Sequence, residues 1–438
     1  MSNLIAVIGK PISHSRSPEL HNPALKAVNS SAIYGRLCVS SVREALDNAQ
    51  SLGLVGLNVT APFKEEAYGL VDVTTTEANL IKAVNTIEIK DNVKIGHNTD
   101  LYGIIESFRN AGCSVTGRKV LVIGAGGAAR AAVAAFKSSE CQVFIVNRTL
   151  AKAELLAEEM KCRAVALNSD EFVRLMQSIE LIVNTASTAD RIIPVELLSS
   201  RMVILESQYS KGTALLNDAK RQGCKIIDGF SWLLFQGEAA FKIFNGTTPD
   251  LSLMREGVKG ASHITPSNIA LIGMMGSGKT TVAKELAENS NRKLLEIDQL
   301  IEERSGKTIS QIFKEDGEKA FRGLESEILE EALTLENIIV SCGGGAVLSP
   351  QNRSRLAERA FTVLLWASAE NLLERIKHET HRPILATTDP HSKIIEVLNE
   401  RRERYLASAD IIVPTDNQLP RAIAQRIIYE FSHVAGIK

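Results

Sequence analysis

Residues 273–280 read Gly-Met-Met-Gly-Ser-Gly-Lys-Thr, the pattern G-x-x-x-x-G-K-[ST], directly after the apolar run Asn268-Ile-Ala-Leu-Ile272. Such a loop between a strand and a helix cradles phosphates with its backbone N–H groups. Its lysine reaches the terminal phosphates and its hydroxyl ligates Mg²⁺. Gly276, Ser277, Gly278, Lys279, Thr280 and Thr281 are therefore candidate contacts to ATP, with Thr280 on the metal. A different glycine-rich loop lies upstream. There Lys119-Val-Leu-Val-Ile123 runs into Gly124-Ala-Gly126-Gly127-Ala128-Ala129 and an Ala-rich helical stretch. G-x-G-x-x-A in that setting lets the backbone approach a dinucleotide pyrophosphate at a helix N-terminus. Two nucleotide sites in one chain imply two chemistries.

The second strand after the upstream loop ends at Asn147-Arg148-Thr149, with Lys152 following. A carboxylate at this place would suit the ribose 2′-OH of NAD. A guanidinium suits the dianionic 2′-phosphate of NADP(H), so NADP is the expected cofactor. A solvated loop charge is the bland alternative for Arg148.

Four polar clusters occupy residues 1–100: His14-Ser15-Arg16-Ser17-Pro18, Gly56-Leu-Asn58-Val-Thr60-Ala-Pro62-Phe-Lys64-Glu65, Ala83-Val-Asn85-Thr86 and His97-Asn98-Thr99-Asp100. Each follows an apolar run, so in an open α/β sheet they gather beyond the carboxyl ends of the strands. Hydroxyls, amides, one lysine and one carboxylate suit a polyhydroxy acid. Reduction of a carbonyl needs a proton donor at its oxygen, and Lys64 oriented by Asp100 can supply one.

Beyond the phosphate loop, Leu294-Leu-Glu296-Ile-Asp298 ends an apolar run with two acids at spacing two, which on a strand face one side. One would serve the water shell of Mg²⁺, the other an acceptor hydroxyl. Arg322, Gly343-Gly344-Gly345, Arg375, Arg382-Pro383 and Arg401 follow. Isolated arginines suit a carboxylate acceptor and a triphosphate donor.

These residues need strands that end at one side of a sheet. Short β-rich runs alternate with 10- to 20-residue helical stretches along the whole chain, which predicts parallel sheets covered by helices. With 438 residues the chain exceeds one core, and about three domain-sized units are expected. The net charge of −1 gives no electrostatic case for nucleic acid or an anionic membrane. Six cysteines with no C-x-x-C pair fit a reducing cytoplasm and argue against a disulfide scaffold or structural zinc. The apolar stretch 4–8 is too short for a signal peptide or a membrane span. Residues 245–267, rich in Gly, Pro and polar residues, are the expected boundary before the phosphate-loop strand.

Taken in order, H-S-x-S-P, G-x-N-V-T-x-P-x-K, A-V-N-T, N-T-D and G-A-G-G resemble the shikimate dehydrogenase family over about residues 3–255. The resemblance implies that Ser15, Ser17, Thr60, Asn85 and Asp100 bind the substrate, with Lys64 and Asp100 as the catalytic pair. Gln236 matches a position on the family's C-terminal helix, which returns to the substrate domain. Tyr209 matches a tyrosine near cofactor and substrate. The chain departs from the family at Leu101, which replaces a glycine, at Glu206, where an aspartate is expected nearby, and at Asn184-Thr-Ala-Ser187. Residues 268–438 resemble shikimate kinase. That implies Asp298, Arg322, Gly343, Gly344, Gly345 and Arg401 around shikimate, Arg382 on a lid over residues 378–392, and Arg375 at the adenine nucleotide. Glu296 takes a metal-side position where the family usually has aspartate.

The two resemblances imply an α/β substrate domain at 1–101, a Rossmann-like NADP domain at 102–228 and returning helices at 229–255. A linker at 256–267 then leads to a nucleoside-monophosphate-kinase-like P-loop domain at 268–438, again parallel α/β. They predict a cytoplasmic bifunctional enzyme that reduces 3-dehydroshikimate with NADPH and phosphorylates shikimate with ATP and Mg²⁺. Two alternatives stay open: an NAD-using quinate or shikimate dehydrogenase, or a degenerate N-terminal half that only binds or regulates for an active kinase. Oligomeric state is not legible.

Overall fold

A computed structural model describes residues 3–186, 188, 190–208, 213–260, 266–377 and 389–435. The chain forms two compact units, one of Met1–Thr60 with Val258–Lys438 and one of Ala61–Gly257.

In the unit Ala61–Gly257, six parallel strands run in the order Lys225–Ile227, Val203–Glu206, Leu181–Asn184, Lys119–Ile123, Gln142–Val146, Arg163–Ala164. Strand order reverses between Lys119–Ile123 and Leu181–Asn184, the place where open α/β sheets bind ligands. Alternate residues of Lys119–Ile123 serve opposite faces. Val120 and Val122 join one apolar cluster, while Leu121 and Ile123 join the other. Helix Gly127–Lys137 buries Ala129, Ala131, Ala132, Ala134 and Ala135, whose single methyls allow close packing. Helix Asp100–Asn110 packs along helix Gly229–Asn245. A Cβ on Gly103 would stand 2.8 Å from Gln236 Cβ, so glycine is what lets these helices approach. Strands Thr86–Lys90 and Val93–His97 form a hairpin across Asp91-Asn92, both in the left-handed region at φ 50° and 65°. That is the pattern of a two-residue type I′ turn.

In the other unit, strands Ala32–Arg36, Asn3–Ile8 and Leu54–Val59 lie parallel in that order. A five-stranded parallel sheet has the order Lys293–Glu296, Ile338–Ser341, Asn268–Ile272, Ala360–Trp366, Ile411–Pro414. All five residues of the central strand Asn268–Ile272 are buried, and it feeds the phosphate loop. Outer strands Ala32–Arg36 and Ile411–Pro414 meet just past the former: Leu37 bridges Ile412 in parallel, and Cys38 N donates to Ile412 O at 2.8 Å.

One boundary differs from the sequence reading. Helix Leu251–Gly260 occupies part of the expected 245–267 boundary and enters the expected 256–267 linker. Its residues contain no proline and only the glycines 257 and 260, so local propensity allows one more helix. The helix after the phosphate loop spans Lys279–Ser290.

Candidate active sites

Lys64 opens the short helix Lys64–Tyr68, and Asp100 opens Asp100–Asn110. Lys64 Nζ donates to Asp100 Oδ2 at 2.6 Å, with side chains 15% and 5% exposed. The other carboxylate oxygen accepts from Trp232 Nε1 at 3.2 Å. Asp100 N donates to Asn98 Oδ1 at 3.1 Å, and Asn98 Nδ2 donates to Ala83 O at 2.9 Å. Thr99 N donates to Asn85 Oδ1 at 2.8 Å, and Thr99 Oγ1 lies 3.4 Å from Gln236 Oε1. The acid pair is therefore held from three elements, and its ammonium has one fixed direction. Lys64, Asn85, Asp100 and Gln236 are brought together. Ser15, Ser17 and Thr60 belong to the other unit. There Ser15 Oγ donates to Ser17 Oγ at 3.2 Å, both buried, and Thr60 follows the strand Leu54–Val59. Tyr209 lies outside the described residues.

The dinucleotide loop follows the strand at the switch point. Gly124 takes φ +117°, and a Cβ there would meet Thr185 Oγ1 at 2.3 Å. Only glycine fits. A Cβ on Gly126 would meet open space, so its backbone is approachable, and Gly126 caps the helix that starts at Gly127. A Cβ on Gly127 would stand 3.5 Å from Lys64 Cβ and Cδ, which places this loop beside the acid pair. Ala128 is half-buried and Ala129 buried. At the end of strand Gln142–Val146, Asn147 Nδ2 donates to Thr149 O at 3.0 Å, while Arg148, Thr149 and Lys152 are exposed. These residues fit a phosphorylated dinucleotide: a bare helix N-terminus for the pyrophosphate, and two cations at the neighbouring strand end. Within the departure at 184–187, Asn184 joins a buried network. Asn184 Nδ2 and Thr213 Oγ1 donate to the fully buried Glu206 at 2.8 and 2.9 Å. Burial pushes the Glu206 carboxyl above its usual range. Ser187 lies outside the described residues.

In the phosphate loop Gly273, Gly276 and Gly278 take φ +142°, +77° and +93°. A Cβ on Gly273 would strike Leu365 O at 2.4 Å. Lys279 Nζ donates back to Gly273 O and Met274 O, both at 3.0 Å, so it spans the loop from within. Ser277 Oγ is buried with no hydrogen-bond partner among the described residues, while Thr280 and Thr281 are exposed at the helix start. Arg375 Nη1 donates to Gly276 O at 3.2 Å and Thr415 Oγ1 at 3.0 Å. This nest of N–H groups, lysine and threonine fits a nucleotide phosphate with its metal.

A second cluster of the same unit surrounds Gly343–Gly345. Cβ atoms on Gly343 would crowd Glu325 Oε1 at 2.5 Å and Asp298 Oδ1 at 2.9 Å, and on Gly345 would strike Arg322 at 2.4 Å. Arg401 Nη1 donates to Gly344 O at 3.1 Å, and Tyr405 OH donates to the same carbonyl. Arg322 Nη1 donates to Glu325 Oε2 at 2.8 Å. Glu325 Oε1 and Arg401 Nε are buried without partners among the described residues, which marks a lining for a polar ligand. Burial raises the Glu325 carboxyl above its ordinary range, against the pull of Arg322.

One expectation is corrected. Glu296 and Asp298 do not share a strand face, because the strand Lys293–Glu296 ends at the first acid and helix Ile297–Ser305 starts at the next residue. The turn sends Asp298 to Gly343, while Glu296 lies 3.9 Å from Lys284 on the phosphate-loop helix. Arg382 and most of the 378–392 stretch lie outside the described residues. Sequence reasoning missed Trp232 and Glu325. Both carried a helical-spacing signal, Trp232 four residues before Gln236 and Glu325 three after Arg322.

Three family models match the chain: the shikimate dehydrogenase substrate binding domain at residues 7–87, shikimate/quinate 5-dehydrogenase at 107–209 and shikimate kinase at 275–432. The NADP(+) shikimate dehydrogenase of Methanothrix thermoacetophila is 35% identical over 264 residues, 58% of this chain and 96% of that protein. That of Aquifex aeolicus is 35% identical over 265 residues, 59% and 97%. Among solved structures, shikimate 5-dehydrogenase from Thermus thermophilus in complex with NADP(H) and shikimate is 32% identical with TM-score 0.54, covering 59% of this chain and 100% of that one. Quinate dehydrogenase from Corynebacterium glutamicum in complex with NAD is 26% identical with TM-score 0.55, covering 59% and 99%. With its acid pair beside a dinucleotide loop and its phosphate loop beside an arginine–carboxylate cluster, the chain belongs to the shikimate dehydrogenase family and carries a shikimate kinase domain C-terminal to it.

Proposed function

We infer that the chain is a bifunctional enzyme of the shikimate pathway, reducing 3-dehydroshikimate to shikimate and then phosphorylating the 3-hydroxyl of shikimate. The observation that carries this reading is the Lys64–Asp100 pair, 2.6 Å apart and abutting the Gly127 loop. A degenerate binding module would have no need to keep it.

NADPH, when bound, supplies the hydride. Backbone groups of Gly124, Gly126, Gly127, Ala128 and Ala129 would hold its pyrophosphate, and Asn147, Arg148, Thr149 and Lys152 its adenosine end. Lys64 gives its proton to the carbonyl oxygen as the C–H bond forms, and Asp100 keeps the ammonium aimed at that oxygen. Trp232 holds the carboxylate in place. Ser15, Ser17, Thr60, Asn85, Tyr209 and Gln236 complete the substrate contacts.

In the kinase part, ATP with Mg²⁺ would supply the phosphoryl group, Thr280 would ligate the metal and Glu296 would serve its water shell. Asp298 accepts the proton of the attacking hydroxyl. Arg322 and Arg401 pair with the substrate carboxylate, Glu325 orients Arg322, and Lys279 with Arg382 balances charge on the phosphoryl group in flight. Arg375 sits on the nucleotide side. The assignments 1–101, 102–228, 229–255 and 268–438 are the domain division of this proposal. A cytoplasmic location fits six free cysteines, and among the described residues no helix is long and apolar enough to cross a membrane.

A two-stage assay on the purified full chain tests the reading. Dehydroshikimate should drive NADPH oxidation, and later ATP should release ADP without added shikimate. ADP release that still requires added shikimate would refute it. Cofactor choice has its own test. Arg148→Ser should lower kcat/KM for NADPH about 10- to 100-fold, the loss of one or two charge-assisted hydrogen bonds, and leave the value for NADH little changed. Equal losses with both cofactors would remove Arg148 from 2′-phosphate recognition.

A further inference from the structure

The helix Pro420–Ala435 packs against the phosphate-loop helix Lys279–Ser290, yet one of its side chains serves another part of the unit. Glu430 is 2% exposed. Its carboxylate accepts Ile12 N at 3.1 and 2.9 Å and Ser13 N at 2.8 Å. The Glu430 backbone oxygen accepts Ser13 Oγ at 2.9 Å. The captured amides belong to the turn that carries Ser15 and leads into helix Ser17–Ala27, which Ser17 opens; Ser15 N donates to Ile12 O at 3.0 Å. From the opposite side Arg36 Nε donates to Ser15 O at 2.8 Å. Arg36 in turn pairs with Glu19 at 2.5 Å.

A buried carboxylate needs donors, and buried N–H groups need acceptors. Among the described residues no lysine or arginine pairs with Glu430, so the two amides of this turn are its principal partners. The attachment is reinforced nearby. Arg426 Nη1 reaches Glu44 Oε1 at 2.7 Å and Cys38 O at 3.2 Å, and Arg402 donates to Leu52 O. Removing the carboxylate would orphan the amides of Ile12 and Ser13, and the cheapest relief is a shift of the turn toward solvent. Ser15 and Ser17 would move with it.

We propose that Glu430, contributed by the kinase part of the chain, is a positioning residue of the dehydrogenase: it fixes the turn that carries Ser15 and leads into the helix that Ser17 opens. The proposal rests on the reading that these serines bind the dehydrogenase substrate. It assigns the last helix a second task besides packing on the phosphate-loop helix.

The test is steady-state kinetics of the purified full chain oxidising shikimate with NADP⁺, for Glu430→Ala, Glu430→Gln and Ser15→Ala. Glu430→Ala should raise KM for shikimate about tenfold, with kcat and KM for NADP⁺ within about twofold of wild type. Kinase kcat and KM should be retained, which a general loss of folding would not allow. Glu430→Gln, which keeps one acceptor oxygen, should fall between. An unchanged KM for shikimate in Glu430→Ala, with Ser15→Ala raising it, overturns the proposal and leaves the serine assignment standing. An unchanged KM in Ser15→Ala overturns the assignment beneath it. If Glu430→Ala loses both activities, the glutamine variant decides: a raised KM with the kinase intact supports the proposal, an unshifted KM refutes it.

Discussion

Lys64→Ala is expected to lower the rate of carbonyl reduction by about 10²- to 10⁴-fold, the span that positioned general acids contribute. KM for NADPH should stay near wild type, because on the proposed reading backbone groups of the Gly124–Ala129 loop, and not this side chain, would hold the pyrophosphate. Phosphorylation of added shikimate should be unaffected. The size of the effect follows from the geometry. Lys64 is the one cation hydrogen-bonded to Asp100 among the described residues, and both side chains are shielded from water. Solvent would have to replace the lost donor in a site where it has little access. Spectrophotometric reduction rates measure the outcome, and activity within about twofold of wild type would take Lys64 out of the mechanism.

Lys279→Ala should remove kinase activity by about a thousandfold or more while NADPH-linked reduction continues, since the lysine spans the loop and, on the proposed mechanism, would neutralise transferring charge. In the structure Lys279 Nζ donates to Gly273 O and Met274 O of the phosphate loop. Coupled ADP-release assays, run beside the reductase assay on the same preparation, give the answer. Joint loss of both activities would mean that the substitution damages the fold and not a single reaction.

Much of this architecture was readable because it is local. The continuous apolar runs at 119–123 and 268–272 announce strands buried on both faces, and glycine-rich stretches announce the two loops that follow them. No spacing rule links Lys64 and Asp100, 36 residues apart; the pair was readable from polar clusters that follow strand-like runs, and the motif resemblance supported it. Trp232 and Glu325 were within reach through helical spacing from residues already singled out. Glu296 and Asp298 misled, because two acids at spacing two share a face only if the strand continues, and here it stops between them. Glu430 was beyond reach: its partners lie more than 400 residues away, and nothing in a glutamate on an amphipathic helix tells which backbone it will cap.

The bridge between Leu37 and Ile412 has a consequence for solubility. An open β-edge is a template for pairing with other copies and is a common start of aggregation. In the intact chain each half covers part of the other's outermost ribbon, with Gly35 small enough to admit the Ile412 side chain, whose tip a Cβ would approach to 2.9 Å. A cut at the junction that let the two parts separate would leave Leu37 and Ile412 without this pairing, at the edge of each sheet.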